Sequence, residues 1–354
     1  MKNTPIKSAD GCLSVNPEGI QKVCMTGSTY ALLQYLLLFD TETVTAHTFY
    51  FLGYAVSPSI ASHLPARHIS LRQTSSRIAP QRWVGKIMLK LGRNLRHPFL
   101  RNAEIYAFDQ GFVSPLIGRR DYSLLSDGPR CMSLNMQETS AEYQRQLQKR
   151  ASLPGRLEQL LFGPVATHPY GNNPQCRQFF MTEENESPVF GSRPVHVRSL
   201  QTLWDEAAEE KRELIRKVFD IDDADIATLN SRKVIFLTQP LTLDCGLTEE
   251  EYLGILRKIF SHYDHSQLLL KLHPRDRFDY QRHFPQVAVY GKNVNMQLLV
   301  LLGTRVERAA TVCSSAINAF PDSVQADWFG PGLHPKLLAF YGTTMRPDRP
   351  CNQM

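Results

Sequence analysis

Leu268-Leu269-Leu270-Lys271-Leu272-His273-Pro274-Arg275-Asp276 is the stretch on which the fold turns. A short apolar run that ends abruptly in His-Pro between basic residues reads as a buried strand of a parallel sheet. Pro274 cannot extend the strand, which leaves Lys271, His273 and Arg275 at its carboxyl end. Open α/β sheets bind their ligands at that end. A histidine fixed there beside two cations can donate a hydrogen bond to a phosphate leaving group. The competing reading is a plain strand end with a surface histidine.

Working outward, the same pattern repeats. Lys233–Leu237 (KVIFL) reads as a strand and runs into Thr238-Gln239-Pro240-Leu241-Thr242-Leu243-Asp244. A helix follows, opened by Thr248 with Glu251 three residues on, which is a capping box. Near the other end, Gln21–Met25 is a strand and Thr26-Gly27-Ser28-Thr29 a polar turn. A helix starts at Tyr30, and its N-terminus could face an anion. Thr43–Tyr50, Ala103–Phe108 and Tyr122–Leu125 are further expected strands. Val84–Leu95, Glu142–Ala151 and Leu200–Phe219 are expected helices. The stretch from Gly163 to Arg193 is rich in Gly, Pro and Asn and reads as loops and a domain crossing. The expectation is an α/β protein with two facing Rossmann-like domains. An extension over 1–20 precedes a first domain over 21–190 and a second over 191–354.

Composition agrees and narrows the chemistry. The chain has 354 residues, 42% hydrophobic and 21% charged, enough for about two domains at roughly 150 residues each. A net charge of +6 suits anionic partners such as nucleotides, phosphorylated glycolipids or a membrane surface. The basic residues are dispersed and lack interleaved aromatics, so nucleic acid is not an expected partner. Neither G-x-G-x-x-G after the first strand nor a Walker A motif is present, which argues against a dinucleotide dehydrogenase and a P-loop NTPase. The seven cysteines show no close pairing of metal-site spacing, and reduced thiols in the cytoplasm are expected. Tyr30–Phe39 is apolar but too short to span a bilayer.

Five segments, in order, carry a family resemblance: Cys24-Met25-Thr26, Tyr122-Ser123-Leu124-Leu125-Ser126-Asp127-Gly128, Phe236-Leu237-Thr238-Gln239-Pro240-Leu241, His273-Pro274, and Thr311-Val312-Cys313-Ser314-Ser315-Ala316. Together, across about residues 20 to 325, they resemble the bacterial lipooligosaccharide sialyltransferases of glycosyltransferase family 52. That resemblance implies a GT-B fold and inverting transfer of sialic acid from CMP-sialic acid to a galactose, with neither metal nor cofactor. His273 and Pro274 match the family's HP motif, whose histidine assists departure of the donor phosphate. Ser314 and Ser315 match the paired serines that hold the same phosphate. Asp127 and Gly128 match the last two positions of an acidic-acidic-Gly motif. Asp244, after Thr238-Gln239-Pro240, is the candidate acceptor-facing carboxylate.

The chain departs from the family pattern twice. Ser126 stands where a first acid is expected, and Leu272 stands where a proline usually precedes the histidine. The expected catalytic set is therefore His273, Asp244 and Asp127. The donor set is Lys271, Pro274, Arg275, Ser314, Ser315, Gly128, Thr238 and Gln239. Blander readings exist for each: Asp-Gly is a common turn, Asp244 a loop residue, and the serine pair a helix cap. Transfer of a hexose from a UDP-sugar, or nucleotide and glycan binding without catalysis, also fits. The partners implied are a nucleotide-sugar donor and a glycolipid or oligosaccharide acceptor, with peripheral contact at the anionic inner membrane. The resemblance also raises a homodimer.

Overall fold

The computed structural model describes residues 19–53, 55–71, 87, 101–110, 113–128, 141–342 and 349–353. Apart from Gly19, Ile20 and Ile87, the expected extension over 1–20 and helix over 84–95 lie outside them. The chain divides into two compact units, Met1–Asp220 and Ile221–Met354.

The first unit is built on a seven-stranded parallel sheet in the order β3-β2-β1-β4-β5-β6-β7. Its strands are β1 (Lys22–Thr26), β2 (Thr48–Leu52), β3 (His68–Ser70), β4 (Glu104–Ala107), β5 (Tyr122–Leu125), β6 (Cys176–Met181) and β7 (Val195–Val197). Helices α1 (Thr29–Leu38), α2 (Thr41–Ala46), α3 (Pro58–His63), α4 (Val113–Ile117), α5 (Ala141–Ala151), α6 (Leu153–Phe162), α7 (Leu200–Glu206) and α8 (Glu209–Val218) connect and cover them. Because α1 is apolar all round, it is buried from Tyr30 to Leu37, as a helix without a polar face must be. Its one amide, Gln34, donates to the Phe180 carbonyl at 3.0 Å and accepts from the Ser126 N–H at 2.8 Å. That ties the helix to the ends of β5 and β6.

The second unit carries a six-stranded parallel sheet in the order β10-β9-β8-β11-β12-β13. The strands are β8 (Val234–Leu237), β9 (Leu268–Lys271), β10 (Ala288–Tyr290), β11 (Arg308–Thr311), β12 (Gln325–Trp328) and β13 (Asn352–Gln353). Around it lie α9 (Asp223–Asn230), α10 (Leu241–Asp244), α11 (Glu249–Phe260), α12 (Tyr280–His283), α13 (Met296–Leu301) and α14 (Pro335–Tyr341). β9 is buried along its whole length, as its leucine run demands. It pairs with β8 in the register Phe236↔Leu270 and Leu237↔Lys271. The capping box of α11 is formed: Thr248 accepts from the Glu251 N–H at 3.1 Å, and Glu251 accepts from the Thr248 N–H at 2.8 Å.

Four sequence expectations are corrected. The first unit runs on to Asp220 and not to 190, because β7 pairs with β6 and α7 and α8 pack on α1. The stretch from Gly163 to Arg193 is therefore no domain crossing; it contains β6. Residues 43–46 are helical, since Asp40 caps α2 by accepting from the Thr43 N–H at 2.8 Å. The single helix over 200–219 is two, broken at Ala207–Ala208. Arg212 closes the break by donating to the Trp204 and Asp205 carbonyls.

Candidate active site

In the second sheet the strand order reverses between β8 and β11, the topological switch point at which α/β folds bind ligands. The three segments picked out by sequence leave the sheet there or next to it. Thr238 and Gln239 follow β8, His273 follows β9, and Ser314 and Ser315 follow β11. They are joined by direct hydrogen bonds. The Thr238 hydroxyl accepts from the His273 N–H at 3.0 Å. Gln239 accepts from the Cys313 N–H at 2.7 Å and donates to the Tyr341 hydroxyl at 3.1 Å. The Thr311 hydroxyl donates to the Leu237 carbonyl and accepts from the Ser314 N–H at 3.1 Å. Thr238 and Gln239 are buried and committed to these bonds. They brace the loops.

His273 opens a turn with Pro274 at its second position, closed by the Asp276 N–H donating to the His273 carbonyl at 2.9 Å. Within it the Arg275 backbone N–H donates to His273 Nδ1 at 3.1 Å. Burial first, then the Arg275 charge, pushes the imidazole below its usual value, against Asp276 and Asp244. The ring is thus held neutral with its proton on Nε2.

Asp276 is buried, accepting from Tyr280 Oη at 2.7 Å and the Phe278 N–H at 3.2 Å. Tyr280 and Tyr252 share a 2.7 Å hydrogen bond, so a tyrosine pair anchors the turn from below. Sequence reasoning passed over Asp276, although an acid two residues after His-Pro was its signal.

Lys271, expected to meet the donor, is 7% exposed. Its ammonium donates to the Leu272 and Lys292 carbonyls at 3.1 and 3.0 Å and lies 5.7 Å from the Tyr290 ring centre. Desolvation lowers it to about 8. Arg275 grips Asp244 through both guanidinium ends, at 2.8 and 2.7 Å, and Asp244 ends α10, a short helix and not a loop. Ser314 accepts from the Ala316 N–H at 3.3 Å and caps a short 3₁₀ turn, while Ser315 and Pro274 are exposed.

Asp127 and Gly128 belong to the first unit, at the carboxyl end of β5. Ser126 is buried, and its hydroxyl donates to the Gly128 carbonyl at 2.6 Å, closing the turn that presents Asp127. An acid at 126 would point inward, so the departure at this position removes no surface carboxylate. Solvent reaches Asp127, yet the protein around it desolvates the carboxyl and raises it to about 6, against a hydrogen bond from Ser28 at the start of α1. Ser28 is also the residue that caps α1, accepting from the Tyr30 and Ala31 N–H groups.

Below it, after β4, Asp109 is fully buried. It accepts from Tyr122 Oη and from the Tyr170 and Gly171 N–H groups, both at 2.8 Å. Those bonds hold Tyr170 at φ 58° and Gly171 at φ 69°. Only glycine fits at 171, where a Cβ would collide with the Phe179 ring. Among the described residues no group of three or more His, Cys, Asp or Glu side chains could hold a metal ion.

The sequence model of glycosyltransferase family 52 matches residues 84–329. The chain belongs to glycosyltransferase family 52. A relative of this family 52 chain, an uncharacterized protein of Haemophilus influenzae, is 32% identical over 173 residues, 49% of this chain and 56% of that protein. The chain thus spans about half the length of the curated relative it matches. The 2,6-sialyltransferase of a Photobacterium species, solved with CMP and lactose, superposes with a TM-score of 0.55 at 10% identity over 87% of this chain and 71% of that one. The GT-B domain of a sialyltransferase from Photobacterium damselae gives 0.49 at 12% identity over 86% and 89%. The two parallel α/β units are those of the GT-B fold. At 10% identity the likeness to the Photobacterium 2,6-sialyltransferase shows the fold and leaves the donor open.

Proposed function

We propose that this chain is an inverting sialyltransferase that carries sialic acid from CMP-sialic acid to a terminal galactose of lipooligosaccharide or a related surface glycan, at the cytoplasmic face of the inner membrane. The observation that carries the reading is the switch-point cluster, where a neutral His273 keeps its Nε2–H while Ser314 and Ser315 stand on the loop that Gln239 braces. In the reaction the bond from the anomeric carbon to the phosphate oxygen breaks, and CMP leaves with both electrons. Donors aimed at the leaving phosphate stabilise the charge that develops on it; His273, Ser314 and Ser315 supply them. The acceptor hydroxyl bonds to the anomeric carbon and yields its proton to a carboxylate. The candidates for that carboxylate are Asp127, at the carboxyl end of β5, and Asp244. Asp244 shares both oxygens with Arg275 and would have to surrender one bond to act.

Calorimetric titration with CMP and with UDP tests the donor class. Tighter binding of CMP, weakened by Ser314→Ala with Ser315→Ala, is expected. Binding of UDP in preference to CMP would move the assignment to a hexosyltransferase.

A further inference from the structure

We infer that the α5–α6 pair of the first unit is a docking surface for an anionic phospholipid bilayer. Of the large hydrophobic side chains exposed among the described residues, most lie on these two helices. Leu153 is 80% exposed, Leu160 68% and Leu157 48%, with Leu161 and Leu147 beside them. Positions 153, 157, 160 and 161 repeat at helical spacing and share one face of α6, while Gly155, Glu158 and Phe162 turn inward. A water-soluble surface rarely exposes such a contiguous apolar stripe without a partner.

The chemistry beside the stripe selects the partner. A cavity of about 490 Å³ opens next to Leu160, lined by Arg119, Arg156, Gln159, His168 and Gln175 among others. Arg119 reaches the Leu160 carbonyl at 3.3 Å. Arg156 is exposed, and its side chain has no hydrogen-bond or ion-pair partner among the described residues. The acid of α6, Glu158, is buried and paired with Lys149 at 2.8 Å, so it does not neutralise this rim. Leucines flanked by arginines and amides are the makings of an interfacial helix, with the apolar face at the acyl boundary and the guanidinium groups among lipid phosphates. A second copy of the chain would bring a like-charged rim against this one, which opposes self-association through the same face. Arg119 precedes β5, and His168 and Gln175 precede β6, whereas Asp127 follows β5. The surface therefore lies at the opposite end of that sheet from Asp127, and a docked bilayer leaves that residue uncovered.

Flotation of the full chain with phosphatidylglycerol–phosphatidylethanolamine vesicles tests the inference. These vesicles carry no glycan, so the result is independent of the transfer reaction. Wild type should float with them and not with phosphatidylcholine vesicles. Leu157→Asp with Leu160→Asp should weaken binding about tenfold or more, and Arg119→Glu with Arg156→Glu about fivefold or more. All four positions are exposed, so unchanged thermal unfolding is expected and separates lost docking from lost fold. Failure of wild type to float, equal flotation with neutral vesicles, or flotation of either variant like wild type would overturn the proposal. A leucine variant that floats normally but falls from dimer to monomer in sedimentation would reassign the face to a second copy.

Discussion

The backbone N–H of Arg275 donates to Nδ1 of His273 at 3.1 Å, and this one bond fixes what the histidine can do. A backbone amide can only donate, so Nδ1 is an acceptor and the ring proton sits on Nε2. In the proposed reaction that N–H is aimed at the leaving phosphate. His273→Ala should lower kcat by about 10²–10⁴ and weaken CMP binding as well, since the lost N–H points at the phosphate that CMP carries. His273→Gln, whose amide N–H can stand in for Nε2–H, should retain more activity. Steady-state kinetics beside calorimetry checks both. Equal loss in the two variants would show that the imidazole acts otherwise than as a hydrogen-bond donor.

Asp127 is raised to about 6 by desolvation, so as the acceptor base it works only when ionised. The rate at subsaturating acceptor should therefore rise with pH and level off above about 6. Asp127→Asn should remove most of the activity and flatten that limb. If Asp244→Asn is the more damaging change and the limb survives Asp127→Asn, Asp244 is the base.

Much of this site could be read in the sequence because its parts are local. The β9 leucine run, the His-Pro stop, the Thr248–Glu251 capping box and the buried α1 each depend on residues within a few positions. What escaped depends on partners far along the chain. Lys271 looked like a phosphate ligand until its ammonium was found on the Leu272 and Lys292 carbonyls. Asp109 has no local signal of its role, because its donors come from residues 122, 170 and 171. β3, β7 and β10 have three residues each, too short for a period to register. β6 lies within the Gly-, Pro- and Asn-rich stretch that hid it. That stretch also misled the domain boundary.

Asp109 should make stability fall with rising pH. Desolvation outweighs its three donors and raises its carboxyl from 3.8 to about 6. Between those values the folded state binds more protons than the unfolded one. The stability it contributes is thus complete below about pH 4 and lost as pH rises through about 6, by at most ~3 kcal/mol. Asp109→Asn cannot titrate, so denaturant unfolding from pH 4 to 7 should show a shallower slope for the variant. Parallel curves would contradict the assignment.

Gln239 braces one loop against another, and its removal should be felt in both stability and binding. Gln239→Leu leaves the buried Cys313 N–H without its acceptor, which costs about 1–3 kcal/mol. Urea denaturation should register that loss. CMP affinity should drop as well, because the Ser314–Ser315 loop is no longer pinned to β8. A stability loss with unchanged CMP affinity would separate the brace from the donor site.

The most direct test of the central claim is the product itself. Purified protein is incubated with CMP-sialic acid and lactose, beside UDP-hexoses with the same acceptor, and His273→Ala serves as control. Sialyl-lactose from wild type, and not from the variant, is the predicted result. Hexosyl product from a UDP-sugar with no sialyl-lactose would contradict the account.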